Sequence, residues 1–230
     1  MSTLPAIRLA ATSTPQAAII FFHGLGDTGD GWSWFPQLAR QQQIIPHQDK
    51  INWVFPHAPK IPIAANMNMA MPGWFNIYEF GGNPNSKQDA EGFLASVDKI
   101  KQLVKEQQDL GIKAENIIVG GFSQGAALSL AALALLDVKI GGIVALSGFC
   151  TIPDIIKSKS TGVNSDTPVF QGHGTADPIV PFASGEAARD LYKSLGYTNY
   201  TFKSYPGLAH SADEAELVEV QQFIAKILNK

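Results

Sequence analysis

One serine lies in a sequence context that is typical of a nucleophile. Positions 121–125 are Gly-Phe-Ser-Gln-Gly, which matches the Gly-x-Ser-x-Gly pattern of a sharp turn between a strand and a helix. The apolar run at 116–120 predicts a buried strand before this turn, and the Ala- and Leu-rich run at 126–136 predicts a buried helix after it. Ser123 would then stand at the carboxyl end of a central strand, with the backbone N–H of Gln124 as one oxyanion donor. The alternative is a glycine-rich turn whose serine has no chemical role.

A serine hydroxyl needs a base that removes its proton, and the base needs an acid that orients it. The chain order serine, acid, histidine found in α/β-hydrolases restricts the base to His173 or His210 among the five histidines. His210 is favoured because it follows the predicted strand at 200–205 and leaves room for an acid before it. Asp177 is the expected acid, since it directly follows the predicted strand at 168–171 and successive strands usually lie side by side.

Other assignments stay open for these side chains. Asp166 precedes the same strand and would lie at the wrong end of the sheet, whereas Asp213 is expected to serve the start of the C-terminal helix. Turn formation before Pro178 is the alternative role for Asp177. An ordinary surface position is the alternative for His210.

A glycine-rich loop follows the apolar run at 19–22. Its sequence, His-Gly-Leu-Gly-Asp-Thr-Gly at 23–29, allows backbone N–H groups to point at a substrate oxygen, and the N–H of Leu25 is the expected second oxyanion donor. Phosphate binding is disfavoured because the loop lacks the lysine of a P-loop and Asp27 would repel phosphate. We expect His23 to position the loop and to take no part in catalysis.

The elements that must position these residues alternate along the chain. Short apolar runs predict buried strands, and amphipathic or Ala/Leu-rich segments predict helices between them. This alternation predicts one α/β domain over residues 1–230, with a doubly wound, mostly parallel sheet flanked by helices. The predicted strands are 19–22, 51–55, 116–121, 142–147, 168–171 and 200–205. The predicted helices are 90–104 after a Ser86/Asp89 capping pair, 126–136, 183–195, and a C-terminal helix after a Ser211/Glu214 capping pair.

One long segment interrupts the alternation. Residues 56–85 contain five prolines and several glycines, and their aromatic side chains argue against disorder. The segment is therefore predicted to be a lid or binding loop. Its apolar side chains could contact a flexible ligand, or they could simply pack the loop onto the domain; they are Met67, Met69, Met71, Trp74 and Phe75.

Composition narrows the classes of function. The formal charge is −3, from 17 basic and 20 acidic residues without a basic cluster, which disfavours nucleic-acid binding. The single Cys150 cannot form an internal disulfide and favours a reducing, cytoplasmic compartment. No run has the length of a signal peptide or a membrane span, so any membrane contact is expected to be transient and through the folded surface. No cofactor or metal is expected.

These motifs together resemble the acyl-protein thioesterase/lysophospholipase family of small α/β-hydrolases. The resemblance runs nearly end to end, and several of its segments are long and specific. It is carried by residues 22–29, 55–59, 66–75, 120–126, 146–148, 173–181 and 210–211.

The resemblance implies an α/β-hydrolase fold whose triad falls on Ser123, Asp177 and His210, with oxyanion donors on the backbones of Leu25 and Gln124. It implies hydrolysis of palmitoyl thioesters on protein cysteines, with lysophospholipids and simple esters as further substrates. The 56–85 segment would then be an acyl-binding lid.

Two positions depart from the animal relatives of that family. Phe149 stands where they carry tryptophan, and it is expected to contact the acyl chain and to alter the preferred chain length. Ser2 stands where some of them carry a cysteine that can be acylated, so a lipid anchor of this chain's own is not expected.

Three functions follow from these expectations. The first is a depalmitoylating serine hydrolase in the cytoplasm, with the nucleus as a second compartment. A general carboxylesterase or lysophospholipase with the same triad is the second. A non-catalytic acyl-binding module is the third, and it would require a defective triad. The oligomeric state cannot be deduced from the sequence.

Overall fold

Six parallel strands and one antiparallel edge strand form the central sheet of this protein. The structure is a computed structural model, and it describes residues 4–81 and 86–229. In chain order the described strands are β1 (Ala6–Leu9), β2 (Ala17–Phe22), β3 (Ile51–Pro56), β4 (Lys60–Ile63), β5 (Met69–Pro72), β6 (Ile117–Phe122), β7 (Gly142–Leu146), β8 (Val169–Gly174) and β9 (Tyr200–Tyr205). The sheet order is β1-β3-β2-β6-β7-β8-β9, and β4 pairs with β5 in a separate antiparallel hairpin.

Helices cover both faces of the sheet. The described α-helices are α1 (Phe35–Gln42), α2 (Ala90–Asp109), α3 (Gln124–Leu135), α4 (Pro153–Lys159), α5 (Phe182–Ser194) and α6 (Glu214–Leu228). One apolar core lies under α2, α3, α4 and α5, and a second lies under α1 and α6. Strand side chains alternate between the two: Ala18 and Ile20 of β2 join the first core, and Ile19 and Phe21 join the second. Within the described residues, no helix has both the length and the apolar character that crossing a membrane requires.

The predicted strands are present, and the mostly parallel α/β architecture is confirmed. Each of the six predicted runs overlaps one of the six parallel strands. The five inner strands are buried almost throughout because both faces are covered, whereas the edge strand β9 buries Tyr200 and Tyr205 and exposes Thr201, Lys203 and Ser204. Two further pieces of β-structure were not predicted. Strand β1 is short and only half-buried, and the β4–β5 hairpin lies within the segment predicted to be a lid.

The capping residues of α2 and α6 differ from those predicted. For α2 the cap is Asp89, whose carboxylate accepts from Gly92 N at 3.0 Å, and not Ser86. For α6 it is Asp213, which accepts from Glu216 N at 2.8 Å, and not Ser211. Both predictions placed the capping residue too early, by three residues for α2 and by two for α6, because a capping pair has the same spacing wherever it falls. Helices α1 and α4 are short, and neither was predicted.

Part of the predicted lid lies outside the described residues, namely 82–85, and so does Ser2. Much of the described part of this segment is held by β-strand pairing and does not form an open lid. Residues 60–72 form the β4–β5 hairpin, and Ile77 makes a single bridge to Gln88.

The first turn of α6 carries a buried carboxylate. Glu216 is almost fully inaccessible, and its Oε2 has no hydrogen-bond partner among the described residues. Burial, with smaller contributions from the nearby Asp213 and Glu219, raises the pKa of Glu216 to about 8. The folded protein therefore keeps this group protonated at neutral pH, whereas the unfolded chain ionises it.

We expect stability to depend on pH through Glu216. Between pH ~4.5 and about 8 the folded state binds a proton that the unfolded state has lost, so the free energy of unfolding should fall as pH rises across this window. Glu216→Gln cannot ionise, so its free energy of unfolding should exceed that of the wild type by roughly 3 kcal/mol more at pH 8 than at pH 5. Urea unfolding at both pH values measures this. Glu214→Gln, an exposed change in the same turn, is the control, and equal pH slopes in all three proteins would contradict the prediction.

Candidate active site

Ser123 lies at the junction of β6 and α3 in a backbone conformation that few residues adopt. Its φ is 54° and its ψ is −115°. The flanking glycines make this turn possible, because a Cβ on Gly121 would collide with the backbone of Gly125, and one on Gly125 would collide with the backbone of Phe22. The helix thus approaches two strands closely, and the turn presents the serine at the carboxyl edge of the sheet.

Ser123, His210 and Asp177 form a continuous chain of hydrogen bonds. His210 Nε2 is 3.0 Å from Ser123 Oγ, and His210 Nδ1 is 2.7 Å from Asp177 Oδ2. The arrangement assigns Nδ1–H as the donor to the carboxylate, which leaves Nε2 to accept from the serine hydroxyl. The three side chains come from the ends of β6, β8 and β9, which meet at one edge because the strands are parallel.

Asp177 is held as a carboxylate. Its burial alone would raise its pKa, but hydrogen bonds from His210, Val180 N and Ile179 N together outweigh burial and lower the pKa below its ordinary value. The two backbone N–H groups donate to Oδ1 at 2.8 and 2.9 Å, while Oδ2 faces the histidine. The acid is therefore charged and fixed in orientation before any substrate arrives.

His173, the competing base, lies in β8 under the Asp177 turn. Its Nε2 is 2.9 Å from Val180 O, to which it donates, and 3.6 Å from Asp177 Oδ2. The ring is fully buried, and burial lowers its pKa so that it stays neutral. No hydrogen bond joins it to Ser123 within the described part of the chain. The geometry therefore favours His210 as the base and gives His173 a role in holding the acid's turn.

The predicted oxyanion loop lies beside the serine. A Cβ on Gly24 would be 3.3 Å from Ser123 Cβ, so this loop approaches the nucleophile closely. Among the hydrogen bonds of the described residues, the backbone N–H groups of Leu25 and Gln124 have no protein acceptor. Both are thus free to donate to a substrate oxygen at this site.

His23 holds that loop in place. Its Nδ1 donates to Gly24 O at 2.7 Å, and its Nε2 accepts from Ala58 N at 3.1 Å. The ring is fully buried, and burial lowers its pKa. The contacts agree with the expectation that His23 positions the loop.

A cavity of about 620 Å³ opens at Ser123 and His210. Its lining includes the chain that follows β5, the loop after β7, the start of α4 and one face of α5. The lining is mostly apolar, as suits a ligand with few polar groups. Apolar members of the lining are Phe75, Ile77, Phe80, Phe122, Phe149, Pro153, Ile179, Val180, Pro181, Ala183, Ala187, Ala188 and Leu191.

Only two of the six residues expected to bind substrate line this cavity, namely Phe75 and Phe149. The three methionines do not, which corrects the expected acyl-binding wall. Met69 and Met71 lie on β5 and Met67 lies in the turn before it, and no residue of the β4–β5 hairpin is in the cavity lining. Met67 is 82% exposed and Met69 is 53% exposed.

Trp74 is also absent from the cavity wall. It is 2% exposed and packs edge-on against Phe22 and beside His23, with its indole N–H donated to His23 O at 2.8 Å. Its contacts are therefore with the oxyanion loop, and the expected substrate contact is corrected.

The cavity residues that sequence reasoning missed come mainly from α5 and from the chain after β5. Ala187 and Leu191 of α5, with Ile77 and Phe80, belong to no motif. The sequence signal of Ala187 and Leu191 is an apolar face on a helix, and Ile77 and Phe80 have only their apolar character; neither signal distinguishes a cavity wall from a core.

This chain is similar in sequence and in structure to known hydrolases. A family model described as Phospholipase/Carboxylesterase matches residues 6–228. An acyl-protein thioesterase 1 from Debaryomyces hansenii is 57% identical over 229 residues, covering 99% of this chain and 98% of that protein. One from Candida albicans is 54% identical over 233 residues, covering 99% and 100%. The crystal structure of Arabidopsis thaliana SOBER1 matches with a TM-score of 0.84 at 31% identity, covering 93% of this chain and 99% of that one.

We expect Asp177→Asn to lower kcat by about 10⁴ while leaving the fold intact, by analogy with the same change in a serine protease triad, which favours the wrong imidazole tautomer. Hydrolysis of a p-nitrophenyl ester measures this. Asp166→Asn is the matched control, because Asp166 is an exposed partner of Lys139 away from the site. A larger loss in Asp166→Asn or Asp213→Asn than in Asp177→Asn would show that the acid is misassigned.

Proposed function

This chain belongs to the phospholipase/carboxylesterase family of α/β-hydrolases, and from that premise we propose that it is a serine hydrolase that cleaves long-chain acyl thioesters from protein cysteines. The observation that carries the proposal is the hydrogen-bonded chain from Asp177 through His210 to Ser123, at the mouth of a mostly apolar cavity. The yeast relatives above are named acyl-protein thioesterases, which supports the same substrate class.

The reaction would proceed through an acyl-enzyme. Ser123 Oγ attacks the thioester carbonyl carbon while His210 Nε2 takes its proton, and the carbonyl oxygen becomes an oxyanion between the N–H groups of Leu25 and Gln124. The C–S bond then breaks, and the cysteine sulfur leaves with the proton from His210. A water molecule attacks the acyl-serine, His210 accepts its proton, and the fatty acid leaves as the serine hydroxyl is restored.

Asp177 contributes by holding the imidazole and by stabilising its charged form during both halves of the reaction. Its lowered pKa keeps the carboxylate charged well below neutral pH. The acid is therefore already charged at neutral pH.

The cavity suits a fatty acyl chain. Its volume of about 620 Å³ lies within the range of about 300–1,000 Å³ that is usual for small-molecule sites. Each methylene buried there contributes about 0.8 kcal/mol, so an acyl chain needs no hydrogen bonds to bind. The protein part of the substrate would stay outside, because the serine lies at the cavity's opening.

A general carboxylesterase or lysophospholipase is the second candidate, and it uses the same residues. The triad geometry favours neither, since one tetrahedral mechanism serves thioesters and oxygen esters alike. A lysophospholipid would place the same acyl chain in the cavity, so either activity belongs to lipid metabolism. A non-catalytic acyl-binding module is disfavoured because the serine, histidine and carboxylate lie within hydrogen-bond reach of one another.

We also propose a cytoplasmic location with transient contact at membrane surfaces, where S-acylated proteins reside. The single free Cys150 suits a reducing compartment, which the nucleus shares.

The proposal is tested by comparing kcat/KM for palmitoyl-cysteine peptides, lysophospholipids and short p-nitrophenyl esters. We expect the thioester to be the preferred substrate, and Ser123→Ala to lose about 10⁴-fold or more on every substrate. Covalent labelling by a fluorophosphonate should disappear in the same variant. Labelling that persists in Ser123→Ala, or lysophospholipid turnover far above that of the thioester, would contradict the first candidate.

We expect the residues of α5 that line the cavity to determine which acyl-chain lengths the enzyme prefers. Ala187→Trp places a large ring at an exposed position of the cavity wall and should lower kcat/KM for palmitoyl substrates about tenfold or more, with acetyl esters changed less than about twofold. Ala95→Trp, an exposed change on α2 that does not line the cavity, is the control. Equal losses on long and short substrates would show that Ala187 supports the fold and not the acyl chain.

A further inference from the structure

The two expected oxyanion donors follow different strands, so the distance between their N–H groups must be set by a part of the chain that contacts both loops. Leu25 follows β2, and Gln124 follows β6. Donors must lie about 2.7–3.1 Å from the developing oxyanion, and a misplacement of about 1 Å can cost 10²-fold in rate. Strand pairing between β2 and β6 ends at Phe22 and Gly121, before either donor.

The segment 72–75, which we call the brace, contacts both loops. Its side toward the Leu25 loop makes two hydrogen bonds: Pro72 O accepts from Gly26 N at 2.8 Å, and Trp74 Nε1 donates to His23 O at 2.8 Å. These bonds flank Leu25 at positions 23 and 26. The loop is therefore held on both sides of its donor.

The other side of the brace is held by the side chain of Gln124. Its Oε1 accepts from Trp74 N at 3.0 Å, and its Nε2 donates to Phe75 O at 2.9 Å. This side chain is 1% exposed. Loss of these two bonds would therefore leave both of its polar groups buried without partners. Among straight side chains of this length an amide alone does both, since a carboxylate cannot donate and a thioether does neither well.

The brace is anchored from behind by α2. Ser96 Oγ donates to Trp74 O at 2.5 Å, so three polar groups of Trp74 bond to three different parts of the fold. Phe75, the last residue of the brace, also lines the cavity. One short segment thus joins the oxyanion loop, the turn of the nucleophile and the wall of the cavity.

We propose that the Gln124 side chain and the Trp74 indole are positioning groups, which set the spacing of the Leu25 and Gln124 N–H groups through the brace. This rests on the proposed function, because the spacing matters only where an oxyanion forms. The role is separate from that of the Gln124 backbone, since every residue except proline supplies an N–H at position 124, whereas holding the brace needs a side chain that accepts from Trp74 N and donates to Phe75 O.

The test uses Gln124→Met, which keeps the backbone N–H and the side-chain length but removes both bonds to the brace. With p-nitrophenyl butyrate we expect kcat to fall about 10- to 100-fold with KM within about twofold, because an interaction made only in the transition state is lost. A trifluoromethyl ketone, which forms a tetrahedral adduct with the serine, should lose affinity by the same factor.

Trp74→Phe is the second variant, and it keeps the experiment decisive if Gln124→Met does not fold. It preserves the ring packing and removes only the bond to His23 O, so a smaller loss in kcat of about 3- to 10-fold is expected, again with KM nearly unchanged. The double variant should lose less than the product of the two single losses, since both act on one pair of donors.

Gln107→Met is the matched control. Gln107 is an equally buried glutamine that accepts from Asn52 Nδ2 at 3.0 Å, on α2 and outside the cavity lining. It should lose stability and keep its kcat. A kcat loss in Gln107→Met equal to that in Gln124→Met, a loss confined to KM, or full activity in the Gln124 and Trp74 variants would overturn the inference. A wild-type protein without ester hydrolysis, or with hydrolysis unchanged in Ser123→Ala, would instead overturn the proposed function and the inference with it.

Discussion

The close packing of α3 against the centre of the sheet is the constraint on which the rest of the site depends. Every residue of α3 is buried, and its first turn touches the backbone of β2 and β6 through glycines. Ser123 is held at a positive φ by this packing, at a cost of about 1–3 kcal/mol that burial of the Ala- and Leu-rich helix offsets. The strain is useful because it turns the hydroxyl out of the sheet toward His210 and frees the N–H of Gln124.

Parallel strand order then brings the remaining groups to the same place. Loops that follow β2, β6, β8 and β9 all leave the sheet at its carboxyl edge, where α/β proteins usually bind ligands. Burial divides the roles of the polar side chains there. Asp177 stays charged because three hydrogen bonds outweigh its burial, whereas His23 and His173 are neutral because burial dominates. The buried histidines hold loops, and the partly accessible His210 is left to exchange a proton.

The segment between β3 and α2 links these features. Sequence reasoning treated 56–85 as a lid with methionines facing the ligand, yet its hairpin carries Met67 and Met69 on the outside. The residues after the hairpin have the larger part in the site, since Trp74 contacts the oxyanion loop and Phe75 lines the cavity. Donor placement and the cavity wall therefore depend on adjacent residues of one short segment.

The sequence by itself determined the parallel sheet, the turn at Ser123 and the choice of Asp177 and His210, because each depends on local pattern and chain order. Continuous apolar runs identify strands buried on both faces, and glycine spacing identifies a turn whose φ most residues avoid. Tertiary structure alone decided that His173 holds the turn of Asp177, that Trp74 belongs to the brace, and that α5 forms part of the cavity wall. Those roles depend on which groups meet in the folded chain, from His173 and Val180, 7 residues apart, to Trp74 and Gln124, 50 residues apart. An apolar or polar residue type is the same whether it faces a core, a loop or a ligand.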